Sequence, residues 1–434
     1  MAIASAGIGS GLDINSLISQ LMALERRPLD ALSQKKSTYQ SQLSAFGTLQ
    51  SDLSALQSAI SSIKNTSSFS VYTAASTDST IVSASATGSA SQGSHSITVN
   101  NLATIQQQVS TGYADTDTTT VGTGTLTFTT GSNTFTVTID STNNTLSGIQ
   151  NAINTATDNY GVSASILNDG SSSPNRLVIA PNDSGTSNAV TIGGTLAPTL
   201  NFSETVAAQN ASLTVDGITG ITKSSNAVTD VINGVTLNLN SAGAVTVSVN
   251  QDISTISSNV QNFVTAYNKL IGDINKYHQK GGSLESDNSL ITVQSQIVGV
   301  LNTAASLTGN TYSYLSQVGV SIQKDGTMAL DSTAFSDALT QHPNDVVALF
   351  TDTNEGFAQR LYTQLGYMLQ SDGVVSSAED SINSSLDAID SQSALLQVRL
   401  DSTQARLQKQ FTALDSLVGS LKQTSSYLLS SLHA

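Results

Sequence analysis

LDALSQKKSTYQSQLSAFGTLQSDLSALQSAISSI, residues 29–63, carries an apolar side chain at every seventh place: Leu32, Tyr39, Phe46, Leu53 and Ile60. A second column three residues on, Leu49, Leu56 and Ile63, flanks the first. This spacing is that of a coiled-coil seam; a strand would alternate instead. The far end of the chain repeats it. Leu386, Leu400, Leu407, Leu414 and Leu421 share one register, broken only at Ser393. Ile382, Ile389, Leu396 and Leu417 supply its neighbour column, broken at Thr403 and Gln410. Neither helix can bury its stripe alone, so each needs a partner, either the other end of the same chain or the ends of identical chains. Everything between is then an insertion carried on a paired helical stem.

Composition narrows the function classes. Charged residues are 11% of the 434, and the net charge is −15. A polar, weakly charged surface suits closely packed assemblies, and the negative balance argues against nucleic acid. Lys and Arg sit mostly on the terminal helices beside Asp and Glu, which reads as a solvated helix face. The chain has no cysteine, which removes thiol catalysis, thiolate metal sites and disulfides together. The opening MAIASAGIGSGLD lacks the positive start and apolar core of a cleaved signal peptide. No stretch has the length and apolarity of a membrane span. Export, if it occurs, takes another route.

In chain order, Asp13 or Asn15 can cap a helix starting near Leu17, and Pro28 should kink or divide it. The period changes at Thr66, and alternating runs from Phe69 to about Asn100 read as strands. The polar stretch from Gln106 to Thr120 reads as an outward loop. Leu126–Phe128 and Phe135–Ile139 make a hairpin across Gly131-Ser132-Asn133. A short helix follows with Thr145 as cap and Leu146, Ile149 and Ile153 inward, then strands at Val162–Leu167 and Arg176–Ala180. Strands return between Ala211 and Asn250 and complete the sheet begun at residue 69. Helical spacing restarts at Ile253, and a second helix spans about Ser289–Ala305. Val318–Ile322 and Thr327–Leu330 pair across Lys324-Asp325-Gly326, where glycine can supply positive φ. Helices then run at about 332–341, 343–350 and 356–370 before the final seam. The sequence therefore specifies an α+β multidomain chain, a terminal coiled-coil or helical-bundle stem (a leg) carrying nested β-rich head domains. The boundaries are 1–42 with 395–434 for the terminal coiled coil and 43–68 with 252–394 for a helical leg domain with a β-hairpin. The β-rich head takes 69–105 with 205–251, and an outer α+β block takes 106–204.

Residues that could carry chemistry fall short of a site. Gly7-Ile8-Gly9-Ser10-Gly11 has no strand before it and no Lys-Ser/Thr after it, so phosphate-loop readings fail. His95, His278, His342 and His433 show no metal-ligand spacing. Asp325, Gly326 and Asp331 lack the ligand ladder of a calcium loop, and no Gly-x-Ser-x-Gly elbow is present. The heptad helices lack the basic face of membrane-surface helices. Catalytic, cofactor and metal residues are therefore none, and no cofactor is expected.

The run SGLDINSLISQLMALERRPLDAL (10–32) resembles the opening of the bacterial flagellar filament cap proteins, the hook-associated protein 2 family. The centre is similar too: Val215-Asp216-Gly217, the run from Ser225 to Val235, Phe263–Asn268, Asp325–Asp331 and Leu349-Phe350. The tail QKQFTALDSLVGSLKQTSSYLLSSL (408–432) also matches, and Ile149–Asn154 is similar to the IN motif of flagellins and hook-associated proteins. The resemblance covers both ends and most of 205–350, and only loosely 106–204. It implies a secreted protein of the flagellar tip that leaves through type III export and forms a homo-oligomeric ring, of about five subunits and able to stack. The ring retains exported flagellin and promotes its folding and insertion. Partners implied are copies of itself, flagellin, the hook-filament junction proteins and an export chaperone at the C-terminal helix. Residues expected to meet the ring or the filament are Leu32, Tyr39, Phe46, Leu53, Leu400, Leu407, Phe411, Leu414, Val418 and Leu421, the last five being read as one helix face.

Three other readings stand beside this one. A surface adhesin would use the outer block against host glycans or mucin, and that role can coexist with a cap. A glycan hydrolase would need paired carboxylates in a cleft. A flagellin-like filament subunit would share the two-ended seam but not the helical return after residue 253 or the Asp325-Gly326 hairpin.

Overall fold

The computed structural model describes residue 11 and residues 13–432. It divides into two compact units, one of residues up to Phe69 together with Ile256 onward, the other of Ser70–Thr255. The helices among the described residues are α1 Ile14–Ser61, α2 Leu146–Asn154, α3 Ala197–Leu200, α4 Ile253–His278, α5 Ser289–Asn302, α6 Ser332–Gln341, α7 Pro343–Thr351, α8 Phe357–Leu369 and α9 Val374–Leu432. Residues 2–15, whose small and weakly charged side chains suit an export signal, lie largely outside the described residues, as do most of the glycine run and His433.

In the helical unit the chain ends do pair. The Asp13 carboxylate accepts from the Ser16 amide at 2.9 Å and starts α1. Ile14, Ile18, Met22 and Leu29 of α1 pack with Leu400, Leu407 and Phe411 of α9, and Lys36 meets Asp390 at 2.5 Å. Rising numbers on one helix meet falling numbers on the other, so the pair is antiparallel. Pro28 lies inside α1, and of the two expected effects, a kink or a division, the helix shows no division. A mid-helix proline costs about 3 kcal/mol, and seam contacts on both sides of it, at Met22 and Leu29, offset that. Further along, Ile60, Ile63, Phe263, Leu301, Leu315, Phe350, Phe357 and Leu361 converge into the unit's core, with Phe350 against Phe69 and Phe335.

The sheet unit holds β1 Tyr72–Ser76, β2 Val82–Ala86, β3 Gly93–Asn101, β4 Gln107–Val109, β5 Gly124–Thr130, β6 Asn133–Ile139, β7 Val162–Asn168, β8 Asn175–Pro181, β9 Val190–Gly193, β10 Ser203–Val206, β11 Ala211–Val215, β12 Ile218–Lys223, β13 Ala227–Ile232, β14 Val235–Leu239 and β15 Gly243–Gln251. One antiparallel sheet runs β1-β15-β3-β11-β12 and a second β13-β14-β2. Their inward residues, among them Val82, Ile97, Leu213, Leu237 and Val247, share one core. Tyr72 stands opposite Gln251, so the chain leaves this unit on the strand beside the one by which it enters.

A separate core lies between β6-β5-β9, β10-β4-β8-β7 and α2, built on Leu126, Phe128, Leu146, Ile149, Ile153, Leu177 and Leu200. Thr145 caps α2 through the Gly148 amide. Part of the stretch expected to loop outward is instead strand β4. Gln106 and Ser110 beside it are buried, and a buried polar group is tolerated when it is hydrogen-bonded. Gln106 donates to Glu204 and accepts from the Val190 amide, both at 2.7 Å, and Ser110 Oγ accepts from the Leu177 amide at 2.9 Å. A polar sequence had no way to advertise that use. Thr104 bridges Gln209, and Asn226 accepts from the Ala103 amide and donates to its carbonyl, which closes the neck of this block.

Back in the helical unit, β16 Val320–Ile322 and β17 Met328–Leu330 form the expected hairpin, with Gly326 at φ +85° in its turn. Two of the runs singled out in the sequence meet here. Tyr267 donates to the Gly326 carbonyl at 3.1 Å, and burial pushes its phenol up to about 12. Asn268 accepts from the Met328 amide at 2.6 Å and donates to its carbonyl at 2.8 Å.

Two outcomes are expected. Asn268→Ala strands both Met328 backbone groups and should destabilise the helical unit by about 2 kcal/mol in urea unfolding. Excising 106–204 and joining the neck with a short Gly/Ser linker should leave the β1–β3 and β11–β15 sheets unfolding cooperatively.

Candidate functional interface

A long helix with one apolar stripe offers a partner whatever the stripe leaves uncovered. On α1, Phe46 and Leu53 are fully buried in the helical unit, and Leu32 and Tyr39 are half-buried, with Lys35 Nζ 5.8 Å from the Tyr39 ring. On α9, Leu400 is buried and Leu407, Phe411 and Val418 are half-buried. Leu414 and Leu421 are not on that face. They are 47% and 59% exposed, and the buried position between Phe411 and Val418 is taken by Asp415. The cause is geometric. A straight α-helix turns about 20° short of a strict seven-residue repeat in each heptad. The column Leu400, Leu407, Leu414, Leu421 therefore walks off the seam, while Phe411 and Val418 walk onto it.

The displaced leucines make a second stripe. Leu414, Leu417, Leu421 and Leu428 lie along one exposed side of α9. On α1, Leu17, Leu21 and Leu24 are exposed in the same way. At 3.6 residues per turn, each set stands about a quarter-turn from its helix's seam, in the same rotational sense. In an antiparallel pair, equal rotations bring both sets to the same side. Gly11 lies beside Lys422 and Lys36 beside Asp390, so Leu17 stands at about the level of Leu414. The result is one apolar band, Leu24-Leu21-Leu17 running into Leu414-Leu417-Leu421, contributed by both ends of the chain. Sequence columns found the α9 half of this band. They missed Leu17, Leu21 and Leu24, whose signal was the i, i+4, i+7 spacing that the leading seam masks.

Elsewhere the chemistry is sparse. Two clefts of the sheet unit, one lined by Gln107, Leu167, Arg176 and Thr205 among others, the second by His95, Asp216, Ile218 and Val231 among others, contain a single carboxylate, Asp216. That carboxylate bonds His95 Nδ1 at 2.7 Å and the Ser96 amide at 2.8 Å, and the His95 bond followed by the Ser96 bond holds it below the usual carboxylate range. Among the described residues no group of three or more His, Cys, Asp or Glu could hold a metal ion, and no helix is long and apolar enough to cross a membrane.

The sequence profile of the flagellar hook-associated protein 2 N-terminus matches residues 10–106, and that of its C-terminus matches 208–423. A flagellar hook-associated protein 2 of Escherichia coli O157:H7 is 33% identical over 458 residues, covering 98% of this chain and 97% of its own. An A-type flagellar hook-associated protein 2 of Pseudomonas aeruginosa is 30% identical over 329 residues, covering 66% of this chain and 67% of its own. A crystal structure of the D1-D2-D3 domains of the flagellar cap protein FliD from Escherichia coli superposes with a TM-score of 0.68 at 33% identity, over 78% of this chain and 99% of that one.

Seam and band should separate in mutagenesis. Leu400→Ala opens a cavity between α1 and α9 and should cost about 2–4 kcal/mol locally, read as early loss of helical ellipticity on heating. Leu421→Ala should stay within about 0.5 kcal/mol of the parent protein.

Proposed function

The chain belongs to the flagellar hook-associated protein 2 family, and on that premise we propose that the two-ended leucine band is the surface by which its leg engages other helices. The protein is a flagellar filament cap, an extracellular component of the filament tip that associates with itself and contacts flagellin. The family is one of structural cap proteins. What supports the finer reading is one observation: six leucines from the two ends of the chain, 39–59% exposed, share one side of the paired helices.

Magnitudes set how such a band works. Each of its leucines is partly covered already, so docking gains on the order of 1 kcal/mol apiece. Six of them fall near the low end of the roughly 4–15 kcal/mol lost when two bodies associate. One leg therefore holds weakly and lets go easily. Joined in a ring of about five, the legs gain from effective concentration, and a single leg can shift while the rest hold. Under this reading, residues 1–42 with 395–434 and 43–68 with 252–394 form the leg. Residues 69–105 with 205–251 and 106–204 form the plate that retains flagellin. Leu32 and Tyr39, half-buried on α1, and Leu407, Phe411 and Val418 on α9 border the docked helix, whereas Phe46, Leu53 and Leu400 hold the leg together from within. The exposed end of α9 is the segment an export chaperone covers before assembly.

The test is the pair Leu414→Ser with Leu417→Ser. The melting of both units should be unchanged, rings should become scarce in negative-stain images of the purified protein, and unpolymerised flagellin should accumulate in the medium. A variant that forms rings and caps normally would remove the band from the mechanism.

A further inference from the structure

We propose that Asp52 of α1 and Asp273 of α4 share one proton and, with Lys269, form a proton-dependent clamp between the two helices. Asp52 sits on the apolar face of α1, beside Leu49, Leu53 and Leu56, with its side chain only 3% exposed. One of its oxygens receives the Lys269 ammonium. The other, Oδ2, is buried and has no donor as an ionised carboxylate. Lys269 also reaches Asp273 Oδ2 at 3.1 Å, one turn along α4. Two carboxyls thus flank one ammonium, and Lys269 is itself 58% exposed, so water weakens what it can give the buried partner.

A buried carboxylate oxygen without a donor is expensive. A proton on Oδ2 removes the charge and turns the stranded acceptor into a donor, and Asp273, held by the same ammonium, is the acceptor it would turn to. The charged groups that act on the pair are Lys269 and, on the Asp273 side, Lys276. Burial pushes Asp52 up, against the Lys269 hydrogen bond. Burial also pushes Asp273 up, but the hydrogen bond with Asp52 and the two lysines outweigh it and hold it down. Opposite directions on two carboxyls that share one ammonium accord with a proton resting on Asp52, the one whose second oxygen is buried without a donor.

The signs follow by linkage. Folded Asp52 keeps a proton that the unfolded chain releases at the ordinary carboxylate value of 3.8. Its contribution is complete below that value and is lost as pH rises through the raised folded one. Asp273 has the reverse sign, contributing above 3.8 and losing its contribution as pH falls through its lowered value. The clamp is tightest in mild acid and slackens toward neutrality.

Asp52→Asn imitates the protonated acid, since its amide can donate to Asp273 and its carbonyl can accept from Lys269. In the full chain, the variant and the parent protein should melt together near pH 4. The variant should melt roughly 3 °C higher near pH 8, followed by helical ellipticity. A constant gap at all pH values, or a variant less stable near pH 8, would overturn the clamp, the second outcome because it would make Asp52 an ionised partner of Lys269. Should the variant not fold, carbon-13 titration of the aspartate carboxyls in the parent protein decides the matter. Asp52 titrating above the usual carboxylate range and Asp273 below it supports the shared proton, and two ordinary titrations end it.

Discussion

A helix that is apolar along one narrow stripe has to be finished by another helix, and here that obligation ties the two ends of the chain. Ile14, Ile18 and Met22 have Leu400, Leu407 and Phe411 opposite them. The rest of the helical unit follows from that pairing. It lets α1 run through Pro28 without breaking, and it sets the direction of α9. It also decides which leucines remain outside. The sheet unit makes no such demand, because its two cores are filled by its own residues.

Most of the fold was legible because its signals are periodic. Alternation gave the strands of β3, β14 and β15, and Thr145 and Gly326 punctuated elements by local chemistry that acts within a few residues. What was not legible depended on distant partners. Gln106 and Ser110 look like loop residues until Glu204, Val190 and Leu177 arrive from elsewhere in the chain. Pro28 looks like a break until the packing on either side is counted.

The interface was half legible for a similar reason. Counting by sevens found Leu414 and Leu421 but assigned them to the seam with Phe411 and Val418. The difference between 3.5 and 3.6 residues per turn is small over one heptad and decisive over three. It turns a supposed core position into surface. The α1 leucines were hidden because their stripe runs alongside a stronger one. Only the antiparallel direction of α9, which no local pattern encodes, brings the two stripes to one side.

The neighbouring places of β1 and β15 have a kinetic consequence. Lys36 and Asp390 are 354 residues apart in sequence, a separation that would make the pairing of the ends a slow, high-contact-order event. The sheet unit removes much of that separation. Once β1 and β15 are zipped, with the Asp252 amide on the Val71 carbonyl at 2.8 Å, everything between them counts as a short link. Each halving of the remaining loop lowers its closure entropy by about 0.6 kcal/mol. The topology thereby favours one order of folding, in which a middle that sets first brings the ends nearer and the leucine band, which needs both ends, forms after it.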